Sequence, residues 1–283
     1  MNNQCHNTVT IVYGRIGIAD AALVRYLEGV KERTERLLVH VTESIYDSII
    51  PKADIEEFVS SLSIVDGILE DESKIKRIVQ QTDTTLIRLP EEELHRYSLK
   101  RLLKKIDIEN SKNKPETNKL ISLKELVKRY GNNPHQRKTH MGLVSGSFDL
   151  IHLGHVLEIK VAKGITDIVI VATMSTNSIR RQEKNIMDDR PIYSQEDRVK
   201  VLSSLQDVDY VVVFEELDCK EVIRAIRPNY FVKHEKDISR LIVKEECELV
   251  VSFGGKVVVT RDYAGYSSTD IINYVRGINS EER

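Results

Sequence analysis

Between residues 141 and 276 the chain alternates between short runs that are apolar throughout and longer segments whose apolar positions recur every three or four residues. The short runs are strands buried on both faces, and the longer segments are helices with one face inward. GLVSG (142–146) is the first strand and IHLGHVLEIKVAKGI the helix that follows it. DIVIVATM (167–174), DYVVVFEE (209–216), NYFVKH (229–234) and GGKVVVTRD supply four more strands. Helices fall between them over SQEDRVKVLSSLQ, opening on the capping serine Ser194, over CKEVIRAIR, and over a charged stretch after residue 234. STDIINYVRGI closes the pattern as a last helix. Such alternation predicts an α/β fold with a doubly wound parallel sheet covered on both faces. Ligands bind such sheets at the carboxyl ends of strands, where strand order reverses.

The first half repeats the pattern. Laid under GLVSGSFDLIHLGHVLEIKVAKGITDIVIVATMST, the stretch TIVYGRIGIADAALVRYLEGVKERTERLLVHVTES puts Gly14 on Gly146, and this offset of 132 runs without a gap to Ser44 on Thr176. Farther on EEFVSSLSIVD falls on VKVLSSLQDVD, Leu62 on Leu205, at an offset of 143. The second copy therefore carries a longer loop around QEKNIMDDRPIY. Between the halves ENSKNKPETNKL (109–120) is polar and reads as a linker, and the amphipathic ISLKELVKRYG ends at Gly131. The expected organisation is two tandem Rossmann-like domains, 1–108 and 138–283, joined by a linker with a short helix over 109–137. The first is read as a degenerate copy of the second.

Composition narrows the field. With 41% hydrophobic and 30% charged residues, the 283-residue chain reads as a soluble globular protein. A net charge of −2 gives no reason to expect a nucleic-acid partner. No apolar run is long enough to cross a bilayer, and MNNQCHNTVTIVYG lacks the layout of a secretory signal, so a cytoplasmic location without membrane association is expected. Cys5, Cys219 and Cys247 match neither a disulfide framework nor a zinc site.

The candidate chemistry centres on GSFDLIHLGH, residues 146–155. His152 and His155 stand three apart at the start of a helix, sharing the face where unpaired backbone N–H groups and the helix dipole favour anions. A second anion-compatible helix start lies in GYSSTDII, where Ser267, Ser268 and Thr269 bring hydroxyls. Between these motifs Arg180, Arg181, Lys184 and Arg190 form a basic loop suited to clamping phosphates.

Together GSFDLIHLGH and GYSSTDII resemble the nucleotidyltransferase superfamily of cytidylyltransferases and adenylyltransferases, over nearly all of 141–276. DRP (189–191), QEDRVKVL, VDYVVVFEE, RPNYFVK and GGKV are most similar to the adenylyltransferase domain of ADP-heptose synthase. The tandem layout instead resembles phosphoethanolamine cytidylyltransferase. The resemblance implies transfer of a nucleotidyl group from ATP or CTP, with magnesium, to a phosphorylated small-molecule acceptor. It implies catalytic roles for His152, His155, Lys184 and Arg190. It places Gly146, Ser147, Phe148, Gly154, Thr173, Arg198, Lys233, Ser267, Ser268 and Thr269 around the nucleotide, and Arg180 and Arg181 at the acceptor. No protein metal ligand is implied, and Asp149 is read as shaping the turn. Two segments depart from the pattern. After Lys233 the glycines and aspartate of the heptose enzymes give way to His234, Glu235 and Lys236, and RDYAGYSST matches the cytidylyltransferase run only loosely, with Arg261 as its arginine. The expected reaction leans to adenylyl transfer, with a cytidylyltransferase of the phosphoethanolamine or glycerol-phosphate type as alternative and a non-catalytic nucleotide-binding regulator as a reading from another class. A homodimer is compatible with any of these. In the first half Asp20 and Leu23 stand where the histidines would be.

Overall fold

The computed structural model describes residues 8–16, 21–44, 52–69, 74–75, 77–78, 83–88, 119–182, 190–261, 267–268 and 271. The chain divides into two compact units, Met1–Pro115 and Glu116–Arg283. Each is an α/β unit built on a parallel sheet.

In the first unit the described elements are β1 (Thr8–Ile16), α1 (Ala21–Lys31), β2 (Arg36–Ser44), α2 (Lys52–Ser60), β3 (Gly67–Ile68) and β4 (Asp83–Arg88). The strands lie in the order β3-β2-β1-β4, all parallel. Val9, Ile11, Leu38 and Leu69 form a buried cluster on this sheet. His40 on β2 is buried too, and its Nδ1 lies 2.6 Å from the Leu69 carbonyl oxygen.

The second unit contains α3 (Leu123–Tyr130), β5 (Met141–Gly146), α4 (Leu153–Ile165), β6 (Ile168–Met174), α5 (Thr176–Arg180), α6 (Gln195–Ser204), β7 (Tyr210–Phe214), α7 (Lys220–Ile226), β8 (Tyr230–His234), α8 (Glu235–Ile238), α9 (Leu241–Ser252) and β9 (Lys256–Thr260). The strand order is β7-β6-β5-β8-β9, all parallel. Order reverses between β5 and β8, which places the crevice at their carboxyl ends. Every residue of β6 is buried, as expected of a central strand with helices on both faces. Ser194 caps α6 by accepting the Asp197 N–H at 3.1 Å. The close turn before β9 depends on Gly255, where a Cβ would stand 2.6 Å from the Pro228 carbonyl oxygen.

The register of the two sheets is parallel in detail. In the first unit Val9 pairs with Arg36 and the ladder runs to Gly14 with Val41; in the second Met141 pairs with Ile168 and runs to Gly146 with Thr173. The same offset of 132 carries each pair onto its counterpart.

The segment read as a linker takes part in the second unit from residue 119. Lys119 and Ile121 bracket Val211 of β7: the Val211 N–H donates to the Lys119 carbonyl at 2.8 Å, and the Ile121 N–H donates to the Val211 carbonyl at 2.9 Å. Leu126 of α3 is fully buried in a core with Met141, Phe214, Ile223 and Phe231. No described helix is long and apolar enough to cross a membrane.

Candidate active site

The site begins where β5 ends. Residues 147–152 turn the chain into α4, and Phe148 adopts φ 49°, a left-handed conformation unfavourable for a bulky L-residue. The surroundings hold it there. Arg198 of α6 donates through Nη1 to the Ser147 carbonyl and to Thr173 Oγ1, both at 2.7 Å. Thr173 Oγ1 in turn donates to the Ser147 carbonyl at 3.2 Å. Asp149, fully buried, accepts Arg190 Nε at 2.9 Å and the Tyr193 backbone N–H at 3.0 Å. Ser268 Oγ donates to the Leu150 carbonyl at 2.7 Å, tying the second helix-start motif to the histidine turn.

On this turn His152 is the extended N-cap of α4 and His155 the third helical residue. The His152 backbone N–H points to His155 Nδ1 at 3.3 Å. With Nδ1 accepting, the neutral imidazole carries its proton on Nε2, leaving that N–H to donate to a ligand. Burial holds the His155 pKa well below the ordinary histidine value, and its neighbours His152, His234, Lys233 and Arg190 push the same way. The ring is therefore a neutral donor at neutral pH. The two imidazoles lie with centroids 4.0 Å apart, and the Phe148 ring stands 5.1 Å from that of His155. Both stand at a helix N-terminus, where the dipole favours negative charge. A Cβ on Gly146 would meet the Phe148 ring first, at an ordinary 3.4 Å.

Three cations surround this turn at different depths. Arg190 is buried beside Asp149, its Nε committed to the carboxylate. Arg198 lies deeper, 1% exposed, and its Nε and Nη2 have no hydrogen-bond partner among the described residues. Burial lowers its pKa to about 10, with the charge of Asp149 opposing the shift, so it stays protonated at neutral pH. It is thus a fixed positive charge behind the turn. Lys233, at the end of β8, is buried and donates to the Ser145 carbonyl at 3.0 Å. Arg180 and Arg181 are exposed on and after α5; Arg181 donates to the Glu215 carbonyl at the end of β7. Lys184 and Thr269 lie outside the described residues, as does Asp20 of the first unit.

Of the residues singled out in the sequence, the structure brings Ser147, Phe148, His152, His155, Thr173, Arg190, Arg198 and Ser268 into one hydrogen-bonded and packed constellation. Lys233 reaches β5 through Ser145 from the other side of the crevice. Asp149 orients Arg190 rather than presenting a free carboxylate. Tyr193, through its backbone N–H, and Ser145 were not legible as participants, because their partners are distant in sequence. Glu158, buried on α4, was hidden in a stretch that reads as an ordinary amphipathic helix.

Residues 143–274 match the family model described as cytidylyltransferase-like. The chain is similar to the Bifunctional protein HldE of a Nitratiruptor species, 38% identical over 127 residues that cover 45% of this chain and 27% of that protein. It is likewise similar to the Bifunctional protein HldE of Helicobacter pylori (strain HPAG1), 33% identical over 58% of this chain and 32% of that protein. The chain thus spans about a third or less of these curated relatives. Among solved structures, a lipopolysaccharide core biosynthesis protein from Thermoplasma volcanium GSS1 is similar at 20% identity and a TM-score of 0.35, covering 44% of this chain and 95% of that one. The stretch 143–274, with its HLGH turn, thus matches a cytidylyltransferase-like domain and is similar to nucleotidyltransferases.

Proposed function

We propose that the chain transfers a nucleotidyl group from ATP or CTP to a phosphorylated small molecule, a sugar or polyol phosphate, and releases pyrophosphate. The observation that carries this reading is the pair His152 and His155 at the N-terminus of α4, opening on the crevice between β5 and β8 and backed by Arg190 and Arg198. In this reaction a phosphate oxygen of the acceptor attacks the α-phosphorus in line. One P–O bond forms as the bond to pyrophosphate breaks. The attacking oxygen is already anionic, so no base is needed, and the protein's task is to position the reactants and offset the charge that develops. His155 supplies its Nε2–H without bringing a second ionisation into the pH range of turnover. Arg190 offers the guanidinium nitrogens that Asp149 leaves free, and Arg198 adds a buried positive field.

Magnesium belongs to this proposal through the substrate. No cluster of three or more carboxylate, histidine or cysteine groups suited to a metal occurs among the described residues, and both Asp149 oxygens are engaged. A magnesium ion here would be held chiefly by triphosphate oxygens and water, as this ion usually is. The resemblance of DRP, QEDRVKVL and GGKV to the adenylyltransferase domain of ADP-heptose synthase favours ATP, and the family description keeps CTP as the alternative.

The first unit is proposed to be a diverged copy that has lost the site. The shared register supports this, and Leu23, at the position corresponding to His155, is buried as a core residue. The deciding experiment is pyrophosphate release from a panel of NTPs against sugar, polyol and amino-alcohol phosphates, with magnesium. Turnover with one NTP and one acceptor class supports the reading. Nucleotide binding without release under any combination overturns it in favour of a binding protein.

A further inference from the structure

Glu158 lies on α4 three residues beyond His155, and so on the same face of the helix. It is 8% exposed, which is rare for a glutamate without a partner. Among the described residues only burial and unbonded charges act on its carboxyl. Lys233, the cation among them, directs its Nζ to the carbonyl and hydroxyl of Ser145 instead. Glu246, the other buried glutamate among the described residues of this unit, accepts the Cys219 N–H at 2.7 Å. Among the described residues Glu158 is thus a buried carboxyl to which no side chain or backbone group hydrogen-bonds, one helical turn below the imidazole that opens the site.

We propose that Glu158 is a specificity-determining residue that hydrogen-bonds a sugar hydroxyl of the substrate bound at the His155 end of α4. This rests on the nucleotidyl-transfer reading of the site.

The surroundings favour a neutral hydroxyl as the guest. α4 packs against β5, β6 and β8. β5 and β6 bring no titratable side chain; β8 brings Tyr230, Lys233 and His234, and α8 brings Asp237. Burial raises the Glu158 pKa to about 8, with Asp237 adding to the shift and Lys233 opposing it. At neutral pH the group is therefore mostly the uncharged acid. A carboxylate so close to a bound triphosphate would repel it. The acid does not, and it offers one donor and one acceptor, the pattern that a sugar's hydroxyls complement. Two substrates can supply such a hydroxyl, the ribose of the nucleotide and the acceptor.

The test uses the full chain and the variants Glu158→Leu and Glu158→Gln. Binding of ATP, CTP and their 2′-deoxy and 3′-deoxy forms is measured by calorimetry, and acceptor KM by pyrophosphate release. Glu158→Leu is expected to lose about 10-fold in affinity for one substrate, the loss expected for one buried hydrogen bond, with an undiminished thermal midpoint. Glu158→Gln, which keeps a donor and an acceptor, is expected to stay within about 3-fold of wild type at pH 7. Above pH 8 wild type should weaken while Glu158→Gln does not. A loss confined to ribonucleotides, absent with a deoxy form, identifies the ribose; a loss confined to acceptor KM identifies the acceptor. Wild-type binding that is flat through pH 8, or both variants matching wild type, overturns the inference while leaving the transfer reading intact. A wild-type chain that binds no nucleotide overturns the transfer reading itself. If Glu158→Leu does not fold, the pH profile of Glu158→Gln decides.

Discussion

Arg198 and Thr173 meet at 2.7 Å, Nη1 to Oγ1, and the same nitrogen reaches the Ser147 carbonyl at 2.7 Å. One buried guanidinium therefore joins α6 and the end of β6 to the turn that carries the histidines. It thereby braces that turn, including the left-handed Phe148, from within.

Arg198→Lys keeps the charge but loses the rigid fork. It is expected to lower kcat by about 10-fold or more, with a smaller change in nucleotide KM, because a buried hydrogen bond of this kind is worth roughly 1.5–3 kcal/mol. Steady-state kinetics on the variant check this. A change confined to KM would instead make Arg198 a direct nucleotide contact.

His152→Ala and His155→Ala are each expected to reduce turnover by about 10²–10³, since one donor to a developing phosphate charge contributes about 3–4 kcal/mol to the barrier. Circular dichroism and urea denaturation should show a folded chain in both cases. A variant within a few fold of wild-type turnover would remove that histidine from the chemistry.

Asp149→Asn strips the counter-charge from buried Arg190. Breaking one partner of a buried pair costs roughly 3–5 kcal/mol. Denaturant unfolding should show a loss of this order, and Arg190→Met in the same chain should recover part of it. Full stability in Asp149→Asn would mean that the pair is not closed in solution.

How much of this was legible in the sequence depended on range. The β5–α4–β6 run reads directly, because each apolar strand and the histidine turn are contiguous and follow local rules. Ser194 likewise announces α6. The charged stretch after β8 reads as one helix but is two, Glu235–Ile238 and Leu241–Ser252. Its break falls at Ser239 and Arg240, where the backbone of Arg240 turns extended to cap α9, and no glycine or proline marks the place. The family resemblance alone puts Arg198 near the nucleotide, and its bracing of the turn is not legible, since its acceptors stand 25 and 51 residues away. Long-range pairing of this kind leaves no periodic trace. Glu158 is invisible for the opposite reason: glutamate suits a helix anywhere, and only the packing of α4 on β8 shows which face it occupies.

The two groups with displaced pKa values on α4 give stability a shaped pH dependence. His155 resists protonation in the folded state, so as pH falls below about 6.5 the unfolded chain takes up a proton that the folded chain refuses, and stability drops. Glu158 holds its proton up to about pH 8, whereas the unfolded chain releases it near 4.5. Its contribution is therefore full below that value and declines as pH rises to about 8. Denaturation at a series of pH values should show His155→Asn flattening the acid limb and Glu158→Gln flattening the decline toward pH 8. Unchanged slopes in both variants would show that the groups titrate normally.

The backbone bonds around Val211 also decide where this chain can be cut. β7 is an outer strand of its sheet, and an unpaired outer strand is a template for pairing with other chains. Lys119 and Ile121 occupy that edge at Val211, and α3 then seals the core with Leu126. A fragment starting at residue 138 would carry every residue of the histidine site, yet it would expose a strand edge and open a hole in its own interior. A fragment starting at 116 brings its own selvage. The stretch from residue 119 is in this sense part of the second unit's finish, and a cut that separates the two units must be made upstream of it.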